Sequence, residues 1–150
     1  MKSFDQSRIS SIRTVELLFI VLIGAVLFTA CGEVDKRQPQ PSPSVAWAFE
    51  ERKSDVQIGG EGVVAKILTD DKVGSPHQRF ILQVSPGQTV LIQHNIELAP
   101  RISGLREGDT VSFFGEYVWN AQGGLIHWTH HDPAGRHEGG WLKHKERTYQ

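Results

Sequence analysis

The sequence predicts a small, mainly β domain built as a five-stranded barrel. Runs of alternating apolar and polar residues follow one another after residue 60, and turn residues separate them. Alternation with a period of two is typical of a strand with one buried face. There are five such runs, and the longest break falls after the third. This layout matches an OB-like barrel, in which closure of the sheet protects most strand edges.

Each predicted element follows from its local pattern. The strands are residues 62–69, 77–84, 89–94, 110–119 and 125–129, and a short helical segment is predicted over residues 46–55. Pro86-Gly87 is the pair preferred at the centre of a type II turn, which makes strands two and three a hairpin. Gly62 and Gly115 lie inside strands, as expected where a small barrel bends or bulges. A small open sandwich of the same strands is the alternative fold.

The first 31 residues have the pattern of a secretory signal peptide. Three basic residues precede an apolar run over residues 17–30, which is shorter than the roughly 20 residues that a membrane-spanning helix needs. The run ends in LFTAC, which resembles the lipobox of bacterial lipoproteins. That resemblance implies that Cys31 is lipidated and becomes the mature N-terminus. An uncleaved N-terminal anchor helix is the alternative, and either arrangement takes the domain out of the cytoplasm.

The lipoprotein resemblance also predicts a location. The membrane is then a partner through the lipid anchor at Cys31, and the domain faces the periplasm as part of the cell envelope. Gly32 follows the cysteine where an aspartate would favour retention in the inner membrane, so the outer membrane is favoured. Because Cys31 is the only cysteine, its lipidation leaves no thiol for disulfides, thiolate catalysis or cysteine zinc sites.

Residues 32–46 are predicted to be a disordered linker between the anchor and the domain. Pro39, Pro41 and Pro43 exclude a helix or a central strand there. Residues 47–150 then form a single domain, which is long enough for one compact core. The chain has 16 Lys and Arg against 17 Asp and Glu, without a long run of either sign. This balance offers no basic face for nucleic acid.

The histidines are the strongest functional signal. Six of the seven lie between positions 77 and 137, and a neutral imidazole readily serves as a metal ligand or proton carrier. Strand ends can converge at one rim of a barrel, where three imidazoles and a carboxylate suit an open zinc, copper or nickel site. The predicted metal ligands are His127, His130, His131, Asp132 and His137. The alternative is a structural polar network in which Asp132-Pro133 forms only a turn.

Further candidates lie on or beside the strands. The predicted ligand-binding residues are His77, Arg79, His94, Tyr117 and Trp128. Glu116 and Asp132 are the candidates for catalysis, Glu116 as a general base if the barrel brings it near His127. Glu116 can equally be a surface residue or an ion-pair partner of Arg79. The tryptophans serve either as packing or as an aromatic platform for sugars or peptides, and His144 is predicted to be solvated in a charged tail.

Several uncommon clusters occur in one order: His77-Gln78-Arg79-Phe80, His94-Asn95-Ile96, Gly115-Glu116-Tyr117 and the stretch from His127 to Pro133. With them the chain resembles a bacterial family of unknown function, domain of unknown function 3465, over about residues 58–150. The resemblance implies an exported single-domain protein. It brings no activity that can be transferred to this chain.

These observations predict a non-catalytic, lipid-anchored binding module of the cell envelope. Its histidine-rich rim would bind a metal ion or a small polar ligand, and the cofactor, if one binds, would be a divalent metal such as Zn. A metal-assisted hydrolase is the alternative, in which Glu116 or Asp132 takes a proton from metal-bound water. A structural protein of envelope assembly, with an envelope protein as partner, is the third hypothesis.

Overall fold

A long, bent first strand organises the part of the chain that the computed structural model describes, residues 43–150. The predicted signal peptide, Cys31 and the predicted tether up to residue 42 lie outside these residues. The elements are α1 (Val45–Glu50), β1 (Val56–Ile67), β2 (His77–Ser85), β3 (Gln88–Asn95), β4 (Thr110–Val118), β5 (Leu125–His127), β6 (Trp141–His144) and β7 (Arg147–Tyr149). No helix in residues 43–150 has the length and hydropathy needed to cross a membrane.

The sheet closes because β1 pairs with two different strands. Residues 56–63 of β1 pair with β4, and residues 63–67 pair with β2, with a register shift between Val64 and Lys66. From β2 the order continues through β3, β5 and β4, and β3 and β5 run parallel. This order confirms the five-stranded OB-like barrel and not the open sandwich.

The barrel interior is filled by the inward-facing side chains of all five strands. In β4 the predicted alternation is confirmed, since Val111, Phe113, Gly115 and Tyr117 are buried while Ser112, Phe114 and Glu116 are partly exposed. The buried apolar residues of the strands are Ile58, Val64, Phe80, Leu82, Val90, Ile92, Val111, Phe113, Tyr117, Ile126, Leu142 and Tyr149.

The start of the domain differs from the predicted bounds. β1 begins at Val56 and not at residue 62, because Gly59 and Gly60 hide the strand pattern in the sequence. Both glycines pair with β4 opposite aromatic residues, where the ring of Phe113 covers Gly60. The helix begins at Val45, which is buried against the core, and ends at Glu50, shortly before a positive φ at Arg52. The folded part therefore includes residues that the sequence placed in the linker.

The C-terminal third departs further from prediction. β5 ends at His127, two residues early, because Trp128 has a φ of 51° that breaks the strand. The hairpin of β6 and β7 was not predicted, and β6 extends the sheet along the first half of β4. The prediction that His144 is solvated is wrong. It is 4% exposed, and its Nε2 lies 2.9 Å from the carboxylate of Asp109.

A matched pair of glycine substitutions tests the loop between β4 and β5. Gly124 and Gly87 both have positive φ, but a Cβ at Gly124 overlaps the Tyr117 ring while one at Gly87 meets nothing within 4 Å. Gly87→Ala should cost about 1 kcal/mol of unfolding free energy from backbone strain alone. Gly124→Ala should cost about 3 kcal/mol, since core overlap adds to the strain. Equal losses in chemical unfolding would contradict this packing.

Candidate functional site: a histidine-lined groove

A groove of about 190 Å³ opens on the outer face of β2, β3 and β5. His77 is the first residue of β2 and pairs with Asn95, the last residue of β3, so both side chains share this face with Gln93. His127 ends β5, and the loops after β3 and β5 complete the wall. We call this site the histidine groove, and its lining residues are His77, Gln93, Asn95, Leu98, His127, Trp128 and His130.

Each imidazole in the groove is oriented by one of its own nitrogens. The Nδ1 of His77 lies 2.6 Å from the Ser75 carbonyl, and the Nδ1 of His130 lies 2.8 Å from the His131 carbonyl. A carbonyl only accepts hydrogen bonds, so each Nδ1 carries the hydrogen and the Nε2 of a neutral ring is an acceptor. His127 is reversed, because its Nε2 donates to a Glu116 oxygen at 2.9 Å. Within residues 43–150 the second nitrogen of each ring has no hydrogen-bond partner.

Glu116 bonds to two histidines, His127 in the groove and His137 outside its lining. Its other oxygen accepts from the Nε2 of His137 at 2.7 Å, and the Nδ1 of His137 donates to the Glu138 carbonyl, also at 2.7 Å. With an acceptor at both nitrogens, His137 is an imidazolium. Partial burial opposes ionisation of both partners, but the hydrogen bond to Glu116 raises the pKa of His137. The bonds from His137 and His127 likewise lower the pKa of Glu116.

Trp128 is held in a strained conformation beside this pair. A φ of 51° is unusual for so bulky a residue, and such strain persists only where surrounding contacts impose it. The indole stacks on the ring of His137, with centroids 4.1 Å apart and planes 7° from parallel. Because His137 is charged, the stack is also a cation–π contact. We call Glu116, His137 and Trp128 the tryptophan bracket.

The strained residue also changes where the side chains point. Strand alternation in the sequence places His127 and Trp128 on opposite faces, but both line the histidine groove. The left-handed backbone at Trp128 ends the strand and turns the indole back to the side of His127.

Asp132 builds the loop that carries His137. Its carboxylate accepts from the backbone nitrogens of Ala134, Arg136 and His137 at 2.9, 2.7 and 2.9 Å. The backbone donors at Ala134 and Arg136, more than any other contact, lower the pKa of Asp132. The structure therefore leaves Asp132 outside the groove, and His131, which is exposed, also lies outside it.

The remaining predicted binding residues do not line the groove. His94 faces the interior and is fully buried; its Nε2 donates to the Pro100 carbonyl at 3.2 Å, and its Nδ1 accepts from the Thr129 hydroxyl at 2.8 Å. Tyr117 is a core residue whose hydroxyl donates to the Gly123 carbonyl. Arg79 donates from Nε to the Thr69 carbonyl.

The predicted metal ligands are not assembled around one point. Among residues 43–150, no three His, Cys, Asp or Glu side chains are placed to hold a metal ion. His127 and His130 line the groove, His137 is bonded to Glu116, and Asp132 caps its own loop. The zinc site therefore stays a prediction from sequence.

Three residues of the groove were missed by the sequence reasoning: Gln93, Asn95 and Leu98. A signal for two of them was present. The Pro86-Gly87 turn sets the register of the hairpin, and this register puts Asn95 opposite His77 and Gln93 opposite Arg79. Leu98 lies in a loop, where no periodicity indicates its direction.

The chain belongs to the family described as "Protein of unknown function (DUF3465)", whose match covers residues 38–150. The match includes every element from α1 to β7, so the helix and the last hairpin are part of the family's domain. No curated protein matches the chain at a significant level.

Buried His94 should make the fold acid-sensitive. Burial lowers its pKa from 6.5 to about 4. Below pH 6.5 the unfolded chain takes up this proton and the folded one does not, so unfolding free energy falls as pH falls. The loss between pH 6.5 and pH 4 should reach about 3 kcal/mol. Above pH 6.5 the contribution is fully present.

Chemical unfolding at several pH values between 4 and 7 measures this slope, and His94→Gln is the comparison. Glutamine keeps a donor for Pro100 but cannot titrate. The variant should be less stable at pH 7 yet show a flatter profile. Parallel profiles for both proteins would show that His94 is not the group responsible.

Proposed function

We propose that this protein is a non-catalytic binding module of the cell envelope, anchored by a lipid at Cys31, and that the histidine groove binds a small polar ligand. The observation that carries the proposal is the set of unpaired polar atoms in the groove. Three oriented imidazoles each offer a nitrogen with no partner among residues 43–150. A few convergent polar groups around a concave site are the usual mark of a ligand pocket.

A small molecule fits these contacts better than a single ion does. An ion needs several ligand atoms within about 2.0–2.3 Å of one point, and no such set is assembled among residues 43–150. A molecule that spans the groove can reach the same nitrogens one by one. The apolar surface of Leu98, which is 44% exposed, and of Trp128 supplies contact area that an ion does not use.

Location in the envelope is supported by the N-terminal sequence. The apolar run, the LFTAC end and the proline-rich segment that follows form the order expected of signal peptide, lipid attachment site and tether. A tether of this kind holds a binding domain away from the bilayer surface and leaves its groove open to the periplasm, with the outer membrane as the favoured anchor site.

A hydrolase is the second candidate, and the contact between Glu116 and His127 favours it. A carboxylate that fixes an imidazole can make its other nitrogen a base for a water molecule in the groove. The metal-assisted form of this activity additionally needs an ion there. Turnover of an ester, phosphoester or glycoside that disappears in Glu116→Gln would establish this function in place of simple binding.

The groove can be tested with the ¹⁵N-labelled full chain in a detergent that lacks a sugar headgroup. The probes are D-glucose, N-acetyl-D-glucosamine, L-glutamine, adenosine and zinc chloride, added separately. We expect at least one organic probe to shift the side-chain NMR signals of His127 and Trp128 while those of exposed His131 stay in place.

His127→Ala should abolish that response, and His131→Ala should preserve it as the matched control. If none of the organic probes moves the groove signals, the proposed binding function is lost. Saturable zinc binding that disappears in His127→Ala would instead replace the small molecule by a metal ion. Metal bound to the native state should also raise its melting temperature.

Lipid attachment has its own test. Cells expressing the chain are labelled with a radioactive fatty acid, and the membrane and soluble fractions are separated. The protein should carry the label and sediment with membranes, since stable anchoring follows from acyl chains buried in the bilayer. Cys31→Ala should lose the label. Unchanged labelling of Cys31→Ala, or an unlabelled wild type, would contradict lipidation at this residue.

A further inference from the structure

We infer that the ligand of the histidine groove is a neutral sugar, whose pyranose ring packs against Trp128. This inference rests on the proposed function, because it names the class of molecule that the groove binds. It follows from the charge of the lining residues, from their unpaired hydrogen-bonding atoms and from the support of the indole.

The lining residues favour a neutral ligand. None of the seven is Lys, Arg, Asp or Glu. The nearest carboxylate, that of Glu116, already accepts hydrogen bonds from His127 and His137. A phosphate or carboxylate would find no lysine or arginine to pair with among these lining residues, and the cost of leaving a charge without a partner is high. A neutral molecule pays no such cost.

The unpaired atoms of the groove include both donors and acceptors. In the neutral form of each of the three imidazoles, the free nitrogen accepts. The Asn95 oxygen already accepts from the backbone of Glu97 and Leu98, which leaves its NH₂ group as a donor. The amide of Gln93 and the indole N–H of Trp128 have no partner within residues 43–150, and they add a donor and acceptor pair and a further donor.

Hydroxyl groups match this mixture, because each hydroxyl can donate one hydrogen bond and accept two. A sugar ring places several of them at different directions around its edge. A ligand with acceptors alone would leave the imidazole nitrogens unpaired, and a ligand with donors alone would leave the amides and the indole unpaired.

The tryptophan bracket gives the sugar a rigid apolar surface. One face of the Trp128 indole is backed by His137, which Glu116 and the Glu138 carbonyl hold at both nitrogens. The C–H groups on the face of a pyranose ring can pack on an aromatic ring prepared in this way. The strain at Trp128 is then the cost of holding the indole in the position that the ligand requires.

The size of the groove limits the ligand to one ring at a time. Its volume of about 190 Å³ lies below the roughly 300–1,000 Å³ of pockets that enclose drug-sized ligands. A single pyranose unit therefore occupies the groove, and a longer glycan would extend from it into solvent.

Titration calorimetry and NMR with D-glucose, D-galactose, N-acetyl-D-glucosamine and tri-N-acetylchitotriose test this inference. The full chain is again used in a detergent without a sugar headgroup. At least one of these probes should bind saturably. Trp128→Ala should weaken it by about tenfold or more, equivalent to about 1.4 kcal/mol, whereas Trp128→Phe should retain part of the affinity because it keeps an aromatic face.

Two further variants keep the result interpretable if Trp128→Ala does not fold. Gln93→Ala removes an amide that makes no hydrogen bond within residues 43–150, and it should weaken the same sugar without lowering the melting temperature. Trp47→Ala removes a tryptophan that is 40% exposed on α1, outside the groove, and should leave binding unchanged.

The outcomes distinguish failure of the sugar inference from failure of the proposed binding function. If L-glutamine or adenosine binds in the groove while no sugar does, the inference of a sugar ligand is wrong and the proposed binding function is retained. If no organic probe binds at all, both fail. Sugar binding that is unaffected by Trp128→Ala and Gln93→Ala would place the site elsewhere and overturn the inference.

Discussion

The double pairing of β1 is the constraint on which the rest of this structure depends. One strand cannot stay straight and pair with β2 at one end and β4 at the other, so it bends at the register shift between Val64 and Lys66. Closure then forces β5 between β3 and β4, with β3 as its parallel neighbour. That placement puts the end of β5 beside the end of β3, where the histidine groove forms. Without the pairing of β3 with β5, these two strands would be the opposite edges of the sheet, and His77 and His127 would lie far apart.

Within that frame, the loop after β5 extends the strand end into a wall of the histidine groove. The Asp132 carboxylate accepts hydrogen bonds from three backbone N–H groups and so fixes the loop that carries His137. His137 in turn joins Glu116 to Trp128 through one hydrogen bond and one stacked ring. These polar contacts are coupled, because the charge on His137 strengthens the bond to the carboxylate and the contact with the indole alike. The histidines thus act in different ways: some present nitrogens to the groove, while His137 supports the residue beside them.

The contrast between His94 and His137 shows how strongly the environment decides what an imidazole does. His94 is enclosed by the core, and burial lowers its pKa, so it is neutral and serves as a donor and an acceptor at the same time. His137 lies against a carboxylate and a carbonyl, and hydrogen bonds to these acceptors raise the pKa of the same type of ring and favour its charged form. Both were candidates from the sequence, His94 as a ligand-binding residue at a strand end and His137 as a metal ligand in the histidine-rich stretch after strand five. Neither lines the groove. His94 accepts a hydrogen bond from Thr129, the residue after Trp128, and His137 stacks on Trp128 itself.

Strand alternation and turn residues were enough to predict the mainly β class and the five barrel strands, because period-two burial is a local property of the chain. They did not reveal the beginning of β1, where the Phe113 ring from the neighbouring strand covers Gly60. They also did not reveal the hairpin of β6 and β7, in which β6 is paired with β4. The composition of the site was also visible, since the histidines and Trp128 stand out in the sequence. Which of them share a groove was decided only by tertiary structure. The occupied nitrogens of His77 and His130 bond to carbonyls within two residues in the chain. That of His127 bonds to Glu116 on the neighbouring strand, a contact that depends on the pairing of β4 with β5.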